Sequence, residues 1–437
     1  MLFLVLFAVV GHAEPIVSSS DEVVSVEWHA PFFSGGGYCS EATTFVVALD
    51  DYARVSVVQH GDSFSASYVA GQAGTASFEK LEKMAARRQR RRSDVVVCHS
   101  EPGAWHVAGG PSWRSSRCPP ANANLVVGRT MFETDRLPDA WETRFAGVDE
   151  VWVPTEFHKK LYTAKASNLY VIGEPVDTEA FRPEGDILEI NAKFLVLSVF
   201  KWENRKGWDV LLRAWKQAFQ KEDEVLLVLV TNAYHSDSDF QERLERFSSL
   251  SLKCSVADLA PLKIVSGLSQ AELQALYRRA DVLVAPSRGE GWGRPHVEAM
   301  ASGTPVIATN WSGPTAFLTE KNGYPLAIHR DLVPVGGDGP FRNHLWADPD
   351  HSHLADLMTR ARNHPEERIA KGKQARTDMV TRFSPTVLAK QVNDRLAFLL
   401  NNQRTTAAEK QQQGRKTTEK VRISADDNNN NNINDDL

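Results

Sequence analysis

Residues 282–300 read VLVAPSRGEGWGRPHVEAM, and the architecture of the chain can be worked out from this segment. The apolar run 282–286 predicts a buried strand, and the glycine-rich segment after it predicts a loop. Pro295 suits the first turn of a helix, where its missing N–H is not needed. Glu290 then lies on the loop at the carboxyl end of the strand, and Glu298 lies about one turn into the helix. Ligands bind in the crevices at this edge of open α/β sheets.

The same loop has the properties of a site for a sugar and a phosphate. The backbone of Gly291, Trp292 and Gly293 can approach a ligand closely. The helix start offers unpaired N–H groups to a phosphate. Glu290 and Glu298 add carboxylates that suit sugar and ribose hydroxyls. A surface loop followed by a solvated glutamate is the alternative, and the flanking strand, glycines and helix start argue against it.

Strands alternate with helical stretches along most of the chain, which predicts parallel sheets with crossover helices. Segment 181–192 interrupts this alternation with Pro, Gly and acidic residues, and an apolar strand then begins at Phe194. We therefore predict an α/β fold of two doubly wound, Rossmann-like domains that face a cleft, over residues 15–186 and 187–400. The predicted strands are 23–28, 55–59, 94–99, 125–128, 150–154, 168–172, 194–200, 225–231, 263–265, 282–285 and 306–308.

Composition places the chain among ordinary globular proteins, with 437 residues, 42% hydrophobic and 24% charged. Its 50 Lys and Arg against 55 Asp and Glu give a formal net charge of −5, which argues against nucleic acid as a partner. The four cysteines are widely spaced, without a Cys-x-x-Cys pair. The sequence therefore predicts no zinc or redox motif, and it permits one or two disulfides without requiring any.

The two ends of the chain differ from its middle. The apolar run LFLVLFAVV at residues 2–10 has half the length of a membrane-spanning helix. With the small residues after it, this run is typical of a signal peptide, although no Lys or Arg precedes it. We predict a leader over residues 1–14 and a secretory location; a buried strand in a cytoplasmic protein is the alternative. Residues 401–437 are polar and low in complexity, and we predict a disordered tail there.

The segment from Glu290 to Glu298 resembles the Glu-x7-Glu signature of family-4 retaining glycosyltransferases, which have the GT-B fold. The resemblance covers most of residues 23–400. It implies that Glu290 contacts the donor sugar hydroxyls and that Glu298 binds the ribose of the nucleotide. It also implies that the backbone between them, at residues 291–295, contacts the sugar and the phosphates.

A second segment, SVFKWENRKG at residues 198–207, follows the first strand of the second domain. It resembles the family's Gly-Arg…Lys-Gly segment, whose two cations hold the donor diphosphate. The resemblance places Lys206 on the family's lysine and Lys201 on its arginine, with Arg205 as an alternative for the latter. A lysine cannot grip an oxyanion with a bidentate fork, but it still supplies positive charge. A solvated basic loop is the other interpretation of this segment.

Two features of the first domain also resemble the family. His99 ends the strand DVVVCH, where the family has a histidine that contacts the donor sugar; a structural histidine fits the sequence equally well. The turn 34–37 resembles the family's glycine-rich turn near the donor phosphates, and a simple turn is the alternative. Further positions that resemble residues lining the family's cleft are Glu133, Asp135 and segment 149–157.

The basic run KMAARRQRRR at residues 83–92 is a candidate patch for an anionic membrane surface or an acidic acceptor. A solvated helix end, where positive charge complements the helix dipole, is the alternative and the better-supported interpretation.

Taken together, the resemblance implies a retaining glycosyltransferase that moves a hexose from a nucleotide-diphosphate sugar to a hydroxyl of a glycan, lipid or small molecule. It implies no cofactor, no bound metal and no covalent intermediate. The alternative is an inactive GT-B-fold protein that binds nucleotide sugars or acts as a scaffold. A dehydrogenase is discounted because the glycines at 35–37 do not fit Gly-x-Gly-x-x-Gly. The predicted catalytic residues are Glu290, His99 and Lys206, and the predicted donor-binding residues are Lys201, Arg205, Gly291, Trp292, Gly293, Pro295, Glu298, Gly36 and Gly37.

Overall fold

The computed structural model describes residues 23–87, 92–106, 116–121, 123–232, 239–336 and 341–431. The chain divides into two compact units, residues 1–390 and residues 391–437. The predicted leader at residues 1–14 and the centre of the basic run, residues 88–91, lie outside the described residues. Within the first unit, the described residues form two parallel six-stranded sheets.

The first sheet has the strand order β2-β1-β3-β4-β5-β6, and all of its strands are parallel. Helices cover both of its faces, so β3, β4 and β5 are buried throughout, as parallel strands generally are. The strands are β1 (Ser25–Ala30), β2 (Arg54–Gln59), β3 (Val95–His99), β4 (Leu125–Arg129), β5 (Glu150–Val153) and β6 (Leu169–Val171). The helices are α1 (Gly37–Leu49), α2 (Ala66–Gln72), α3 (Ala76–Ala85) and α4 (Glu156–Tyr162).

The second sheet has the order β12-β11-β10-β7-β8-β9 and is also parallel. Its strands are β7 (Phe194–Lys201), β8 (Val225–Asn232), β9 (Leu262–Val265), β10 (Val282–Ala285), β11 (Val306–Thr309) and β12 (Gly323–Leu326). Its helices are α5 (Trp208–Ala218), α6 (Phe240–Phe247), α7 (Gln270–Arg279), α8 (Arg294–Ala301), α9 (His351–Asn363) and α10 (Pro365–Phe383). A short antiparallel pair, β13 (Val333–Pro334) with β14 (Leu345–Trp346), lies between β12 and α9.

The predicted α/β fold of two doubly wound sheets is confirmed. Each predicted strand is present, with ends that differ by a few residues at most. Strand β12 and helices α9 and α10 were not predicted. Helix α5 shows why the pattern is readable: Leu211, Leu212 and Trp215 lie on its buried side, and the Trp215 indole N–H donates to the Ala260 carbonyl at 3.0 Å.

The last helix, α11 (Pro385–Asn431), extends into the segment for which a disordered tail was predicted. The predicted tail begins at residue 401, whereas the helix continues to Asn431. Low apolar content predicts that a segment has no core to join, but it does not prevent helical backbone. Residues 403–413 are mostly Gln, Ala, Glu, Lys and Arg, which favour helix. Among the described residues, no helix is both long enough and apolar enough to cross a membrane.

One disulfide joins β3 to the segment that precedes β4. It links Cys98 to Cys118, across a sequence separation of 20 residues. Cys39 is a buried free thiol and Cys254 a partly buried one. The structure therefore resolves a question that cysteine spacing alone left open.

Candidate active site

The candidate site lies at the carboxyl edge of the second sheet, where the loops after three neighbouring strands meet. Strands β11, β10 and β7 are adjacent, so the loops that follow them converge. Glu290 comes from the loop after β10, Lys206 from the turn after β7, and Ser312 from the turn after β11. The sheet order thus brings together residues that are far apart in the sequence.

Glu290 is the centre of this cluster and is only 6% exposed. Its two carboxylate oxygens accept hydrogen bonds from Lys206 Nζ at 2.7 and 2.9 Å. Arg205 Nη1 donates to the same carboxylate at 3.1 Å, and Ser287 Oγ donates at 2.7 Å. Burial opposes ionisation, but the charges of Lys206 and Arg205 outweigh it and hold the pKa of Glu290 well below its usual range. Glu290 is therefore a carboxylate at any physiological pH.

Backbone hydrogen bonds fix the loop that carries Glu290. The Glu290 N–H donates to Ser312 Oγ at 3.0 Å, and the Gly313 N–H donates to the Glu290 carbonyl at 3.0 Å. The Arg288 N–H donates to the Arg205 carbonyl at 2.7 Å. The three loops are thus bonded to one another, so the carboxylate and its cations are held in place before any ligand arrives.

Gly207 explains why the cationic turn can approach the loop after β10. Its φ of +67° lies in the left-handed region that glycine favours. A Cβ at this position would also collide with the backbone carbonyl oxygen of Pro286. A side chain at 207 would therefore separate Lys206 from Glu290.

The sequence left open whether Lys201 or Arg205 is the second cation beside Lys206. In the structure, Arg205 is the one that bonds Glu290 together with Lys206. Besides Glu290, it lies 3.4 Å from the Glu203 carboxylate and 3.7 Å from the Glu133 carboxylate of the first domain. Lys201 ends β7 and is partly buried. Burial and the nearby cationic charges of Lys206 and Arg205 lower the pKa of Lys201, against the opposing effect of Glu203.

The start of α8 presents backbone rather than side chains to the site. Trp292 is 2% exposed, and its ring packs against Phe317 and Phe383 with centroids 5.0 and 5.3 Å apart. Only its backbone is therefore left for a ligand. Gly293 caps the helix with φ +115°, and Pro295 is the second helical residue. At Gly291, a Cβ would collide with the Met131 side chain, so the loop lies directly against the first domain.

Glu298 lies farther along α8, and its environment differs from that of Glu290. Tyr277 Oη donates to one carboxylate oxygen at 3.0 Å, and Arg294 Nε lies 4.0 Å from the other. Burial raises the pKa of Glu298, although Arg294 and Tyr277 oppose this effect. The two acids of the signature thus differ in charge environment, with Glu290 firmly ionised and Glu298 less so.

His99, predicted as a catalytic residue, lies in the core of the first domain, and its catalytic role stays a prediction. It is fully buried, and its Nδ1 accepts a hydrogen bond from the Trp28 indole N–H at 3.1 Å. Its Nε2 lies 2.9 Å from a Glu41 carboxylate oxygen, and Glu41 is also paired with Arg129. Both ring nitrogens therefore have partners within the first domain.

The glycine-rich turn of the first domain starts helix α1. Gly36 is the N-cap residue and Gly37 the first helical residue. A Cβ added to Gly37 would meet no atom of the described residues within 4 Å, and Asp62 lies beside Gly36. The start of α1 is thus open to an approaching group, as the resemblance implies. Its contact with a donor phosphate stays a prediction.

A contact that the sequence did not predict joins the two domains beside the site. The insertion between β12 and α9 reaches the segment after β4, where Thr134 Oγ1 lies 2.8 Å from His344 Nδ1. Asp135 and Leu345 exchange two hydrogen bonds, of 2.6 and 2.9 Å, and the Phe132 and Phe341 rings stack at 5.8 Å. Thr134 and His344 are 210 residues apart, so no local pattern could have revealed this pair.

Three other residues of the site also escaped the sequence prediction. Arg288 forms a bidentate pair with Asp209 at 2.7 and 2.8 Å, which fastens the loop after β10 to α5. Ser287 and Ser312 bond Glu290, as described above. Ser287 and Arg288 are close to Glu290 in the sequence, and Ser312 lies in the neighbouring loop. This proximity could have pointed to the three residues, but serines and arginines are too common in loops for it to identify a site.

Among the described residues, no group of three or more His, Cys, Asp or Glu side chains is placed to hold a metal ion. The prediction that the reaction needs no metal was made from the resemblance and stays a prediction.

Comparison with known proteins relates the second sheet to a family of transferases. Residues 191–334 match the family model described as glycosyl transferases group 1. The chain is 27% identical over 249 residues to a D-inositol 3-phosphate glycosyltransferase of Corynebacterium aurimucosum, covering 53% of this chain and 52% of that protein. It is 30% identical over 164 residues to mannosylfructose-phosphate synthase of Agrobacterium fabrum, covering 35% of each. The chain thus spans about a third to a half of the length of these two curated relatives.

Two solved structures share the whole fold. Sucrose-phosphate synthase of Thermosynechococcus elongatus superposes with a TM-score of 0.60 at 16% identity, over 87% of this chain and all of that one. The Anabaena protein HepE, in complex with UDP and glucose, superposes with a TM-score of 0.57 at 15% identity, over 86% and 99%. Such identities show the fold alone. The family model covers residues 191–334, and for the whole chain these comparisons show the GT-B fold.

Proposed function

We propose that this protein is a retaining glycosyltransferase that moves a hexose from a nucleotide-diphosphate sugar to an acceptor hydroxyl. The observation that carries the proposal is the pairing of the buried Glu290 carboxylate with Lys206 and Arg205 at the carboxyl edge of the second sheet. A carboxylate suits the hydroxyls of a hexose, and adjacent cations suit the diphosphate that leaves.

The cations would act on the step in which the bond from sugar to phosphate breaks. Negative charge then grows on the leaving phosphate oxygen, and preorganised cations stabilise it most strongly when no solvent has to reorganise. Lys206 and Arg205 are held by Glu290, and Lys201 lies at the end of β7, the strand that leads into their turn. The proposed site needs no metal for this role, because its own side chains supply the positive charge.

Retention of configuration follows from attack on the face of the departing phosphate. The acceptor oxygen forms its bond to the anomeric carbon as the carbon–phosphate oxygen bond breaks, and the acceptor proton passes to the leaving phosphate oxygen. Glu290 takes no proton in this scheme, which agrees with its strongly lowered pKa. Donor and acceptor need to be held in reach of each other, and closure of a cleft between two domains provides this.

The comparisons support a sugar-phosphate chemistry without naming the substrate. The related proteins are named for transfer to inositol phosphate and for synthesis of mannosylfructose phosphate, and HepE was solved with UDP and glucose. The acceptor of this chain is proposed to be a glycan, lipid or small molecule. An acceptor at an anionic membrane surface would suit the basic run 83–92, of which Arg87 is already paired with Asp50.

A secretory location is part of the proposal, and the Cys98–Cys118 disulfide supports it. Disulfides persist in oxidising compartments and are rare in the cytosol. Amino-terminal sequencing of the protein from its native cells tests this location. A mature chain that begins after residue 14 is expected, and an intact Met1 would contradict it.

A donor panel tests the proposed activity. Thermal unfolding is measured with each common nucleotide-diphosphate hexose, and product formation is then measured with the donors that raise the melting temperature. We expect at least one donor to stabilise the protein and to be consumed. Stabilisation without transfer or hydrolysis, across acceptors of the three classes, would instead support the alternative of an inactive nucleotide-sugar-binding protein.

A further inference from the structure

Arg294 belongs to the second domain, but its side chain bonds outside that domain. It is the first residue of α8, directly after the loop that carries Glu290. Its Nη2 donates to Ser40 Oγ on α1 at 3.0 Å, and its Nη1 donates to the carbonyl oxygen of Pro175 in the segment between the two sheets. Both hydrogen bonds described for this guanidinium therefore leave the second domain.

The segment between the sheets is held from its other side by Arg129 of the first domain. Arg129 Nη1 donates to the Ile172 carbonyl at 2.6 Å, and Nη2 donates to the Gly173 carbonyl at 3.4 Å. Residues 172–175 thus run between two guanidinium groups, one from each domain. The chain is fastened on both sides at the point where a hinge between the domains would have to move.

Glu174 lies near both of these arginines, in the segment that they hold. Its carboxylate is 1% exposed, and its nearer oxygen is 4.0 Å from Arg294 Nη1. Burial and the adjacent Glu41 charge raise the pKa of Glu174 well above its usual value, against the effect of Arg294. The carboxylate of Glu298 lies at the same distance, 4.0 Å from Arg294 Nε.

The partners of Arg294 lie beside both halves of the proposed donor site. Ser40 is in the first turn of α1, next to Gly36 and Gly37, which are expected to face the donor phosphates. Glu298 is expected to bind the ribose. Arg294 Nε is buried without a hydrogen-bond partner among the described residues, so the group has bonding capacity left at this position.

We propose that Arg294 is a positioning residue that holds α1 of the first domain against the donor-binding loop of the second, and so sets the closure of the cleft. This inference rests on the proposed function for its effect on turnover. A guanidinium bonds two acceptors in a fixed fork, whereas a lysine ammonium cannot reproduce that geometry. Arg294 acts by holding the first domain, where the acceptor is expected to bind, within reach of the donor. Such proximity accelerates a reaction between two substrates.

The experiment compares the full-length wild type with Arg294→Leu, Arg294→Lys, Ser40→Ala and the double variant Arg294→Leu/Ser40→Ala. Arg360→Leu is the matched control, since Arg360 lies on α9 in a partly exposed ion pair with Glu367. Three quantities are measured for each: kcat and KM with the donor found by the panel, the affinity for the corresponding nucleoside diphosphate by calorimetry, and hydrogen exchange of segments 37–43 and 172–176.

We expect kcat/KM to fall about 10- to 100-fold in Arg294→Leu and about 3- to 10-fold in Ser40→Ala, as for loss of charged hydrogen bonds. The double variant should have the same kcat/KM as Arg294→Leu alone, because both substitutions remove the same hydrogen bond between Arg294 and Ser40. Arg294→Lys should recover only part of the activity. The nucleotide affinity should stay within about twofold of wild type, and exchange in both segments should quicken about fivefold.

Unchanged kcat/KM and exchange in Ser40→Ala and Arg294→Lys would overturn the inference, even if Arg294→Leu failed to fold. Equal losses in nucleotide affinity and in kcat/KM would also overturn it, because Arg294 would then be a nucleotide-binding residue. The exchange measurement needs no turnover. If the wild type transfers no sugar from any donor, the proposed function fails, and hydrogen exchange alone decides whether Arg294 holds the two domains together.

Discussion

Lys206 Nζ lies 2.7 and 2.9 Å from the two carboxylate oxygens of Glu290, so one ammonium spans the whole carboxylate. Both side chains are largely buried, at 14% and 8% exposure. A pair held this way keeps the carboxylate ionised and keeps the cation at a fixed place. The proposed division of roles, sugar hydroxyls to Glu290 and leaving phosphate to Lys206, depends on this one contact.

Replacing Lys206 by methionine should remove the stabilisation of the leaving phosphate while keeping the length of the side chain. We expect kcat to fall about 10²- to 10³-fold, the range seen when one preorganised group that stabilises developing charge is lost. Steady-state kinetics with a nucleotide-diphosphate hexose measures this. Lys193→Met, at an exposed pair with Glu224, is the control and should leave kcat unchanged. A similar kcat in both variants would refute the role of Lys206.

Gly207→Ala should destabilise the protein more than a glycine substitution at a comparable backbone angle. Gly207 has φ +67° and faces the Pro286 carbonyl oxygen, whereas a Cβ at Gly267, where φ is +73°, would meet no described atom within 4 Å. Gly267→Ala should therefore lose about 1 kcal/mol from the unfavourable angle alone. Gly207→Ala should lose more, together with transfer activity. Chemical denaturation measures both, and equal losses would show that the close approach to Pro286 is unimportant.

Stability should fall as the pH is lowered from about 6.5, in part because of His158. Burial lowers the pKa of this histidine to about 3, against the favourable Phe132 carbonyl contact at Nε2. Between these values the unfolded chain binds a proton that the folded chain does not, so acid favours unfolding. This one residue contributes a slope of up to about 1.4 kcal/mol per pH unit.

His158→Gln should reduce that slope, which denaturant titrations at several pH values from acid to neutral would measure. Measurements at higher pH serve as the control. Well above the pKa that His158 has in the unfolded chain, this histidine is neutral in both the folded and the unfolded protein. The difference in free energy of unfolding between variant and wild type should then be constant. A pH slope that is the same in both proteins would contradict the assignment of this acid effect to His158.

Reduction of the Cys98–Cys118 disulfide should lower stability. In the chain-entropy account, closing a loop of this length contributes about 3 kcal/mol to the free energy of unfolding. The double variant Cys98→Ser/Cys118→Ser should therefore melt several degrees below wild type, as calorimetry would show. Cys254→Ser, at a free thiol, is the control. No difference between the reduced and oxidised protein would mean that the bridge does not constrain the unfolded chain.

What the sequence predicted well was local. The strand, glycine loop and helix around Glu290 depend on neighbouring residues, and the cationic turn follows its strand directly. Both segments could therefore be predicted from a short stretch of sequence. Hydrophobic runs likewise predicted the strands of both sheets. Parallel order then brought the loops together, because the carboxyl ends of adjacent strands share one edge.

What it missed depends on distant partners. The partners of His99 could not be predicted because Glu41, which lies at its Nε2, is 58 residues away, and Trp28, which bonds its Nδ1, is 71 residues away. The bond from Arg294 to Ser40 spans 254 residues. The helix beyond residue 400 was missed for another reason. Low hydrophobicity was interpreted as disorder, although residues 403–413 mostly favour helix.

Whether Glu290 and its cations transfer a hexose can be decided by comparing two proteins. The rate of sugar transfer is measured for wild type and for Glu290→Gln, with the best donor of the panel and with circular dichroism to check the fold. We predict that wild type forms a glycoside with the anomeric configuration of the donor, and that Glu290→Gln is folded but at least about 100-fold slower. A folded Glu290→Gln enzyme with the wild-type rate would contradict the proposed role of Glu290.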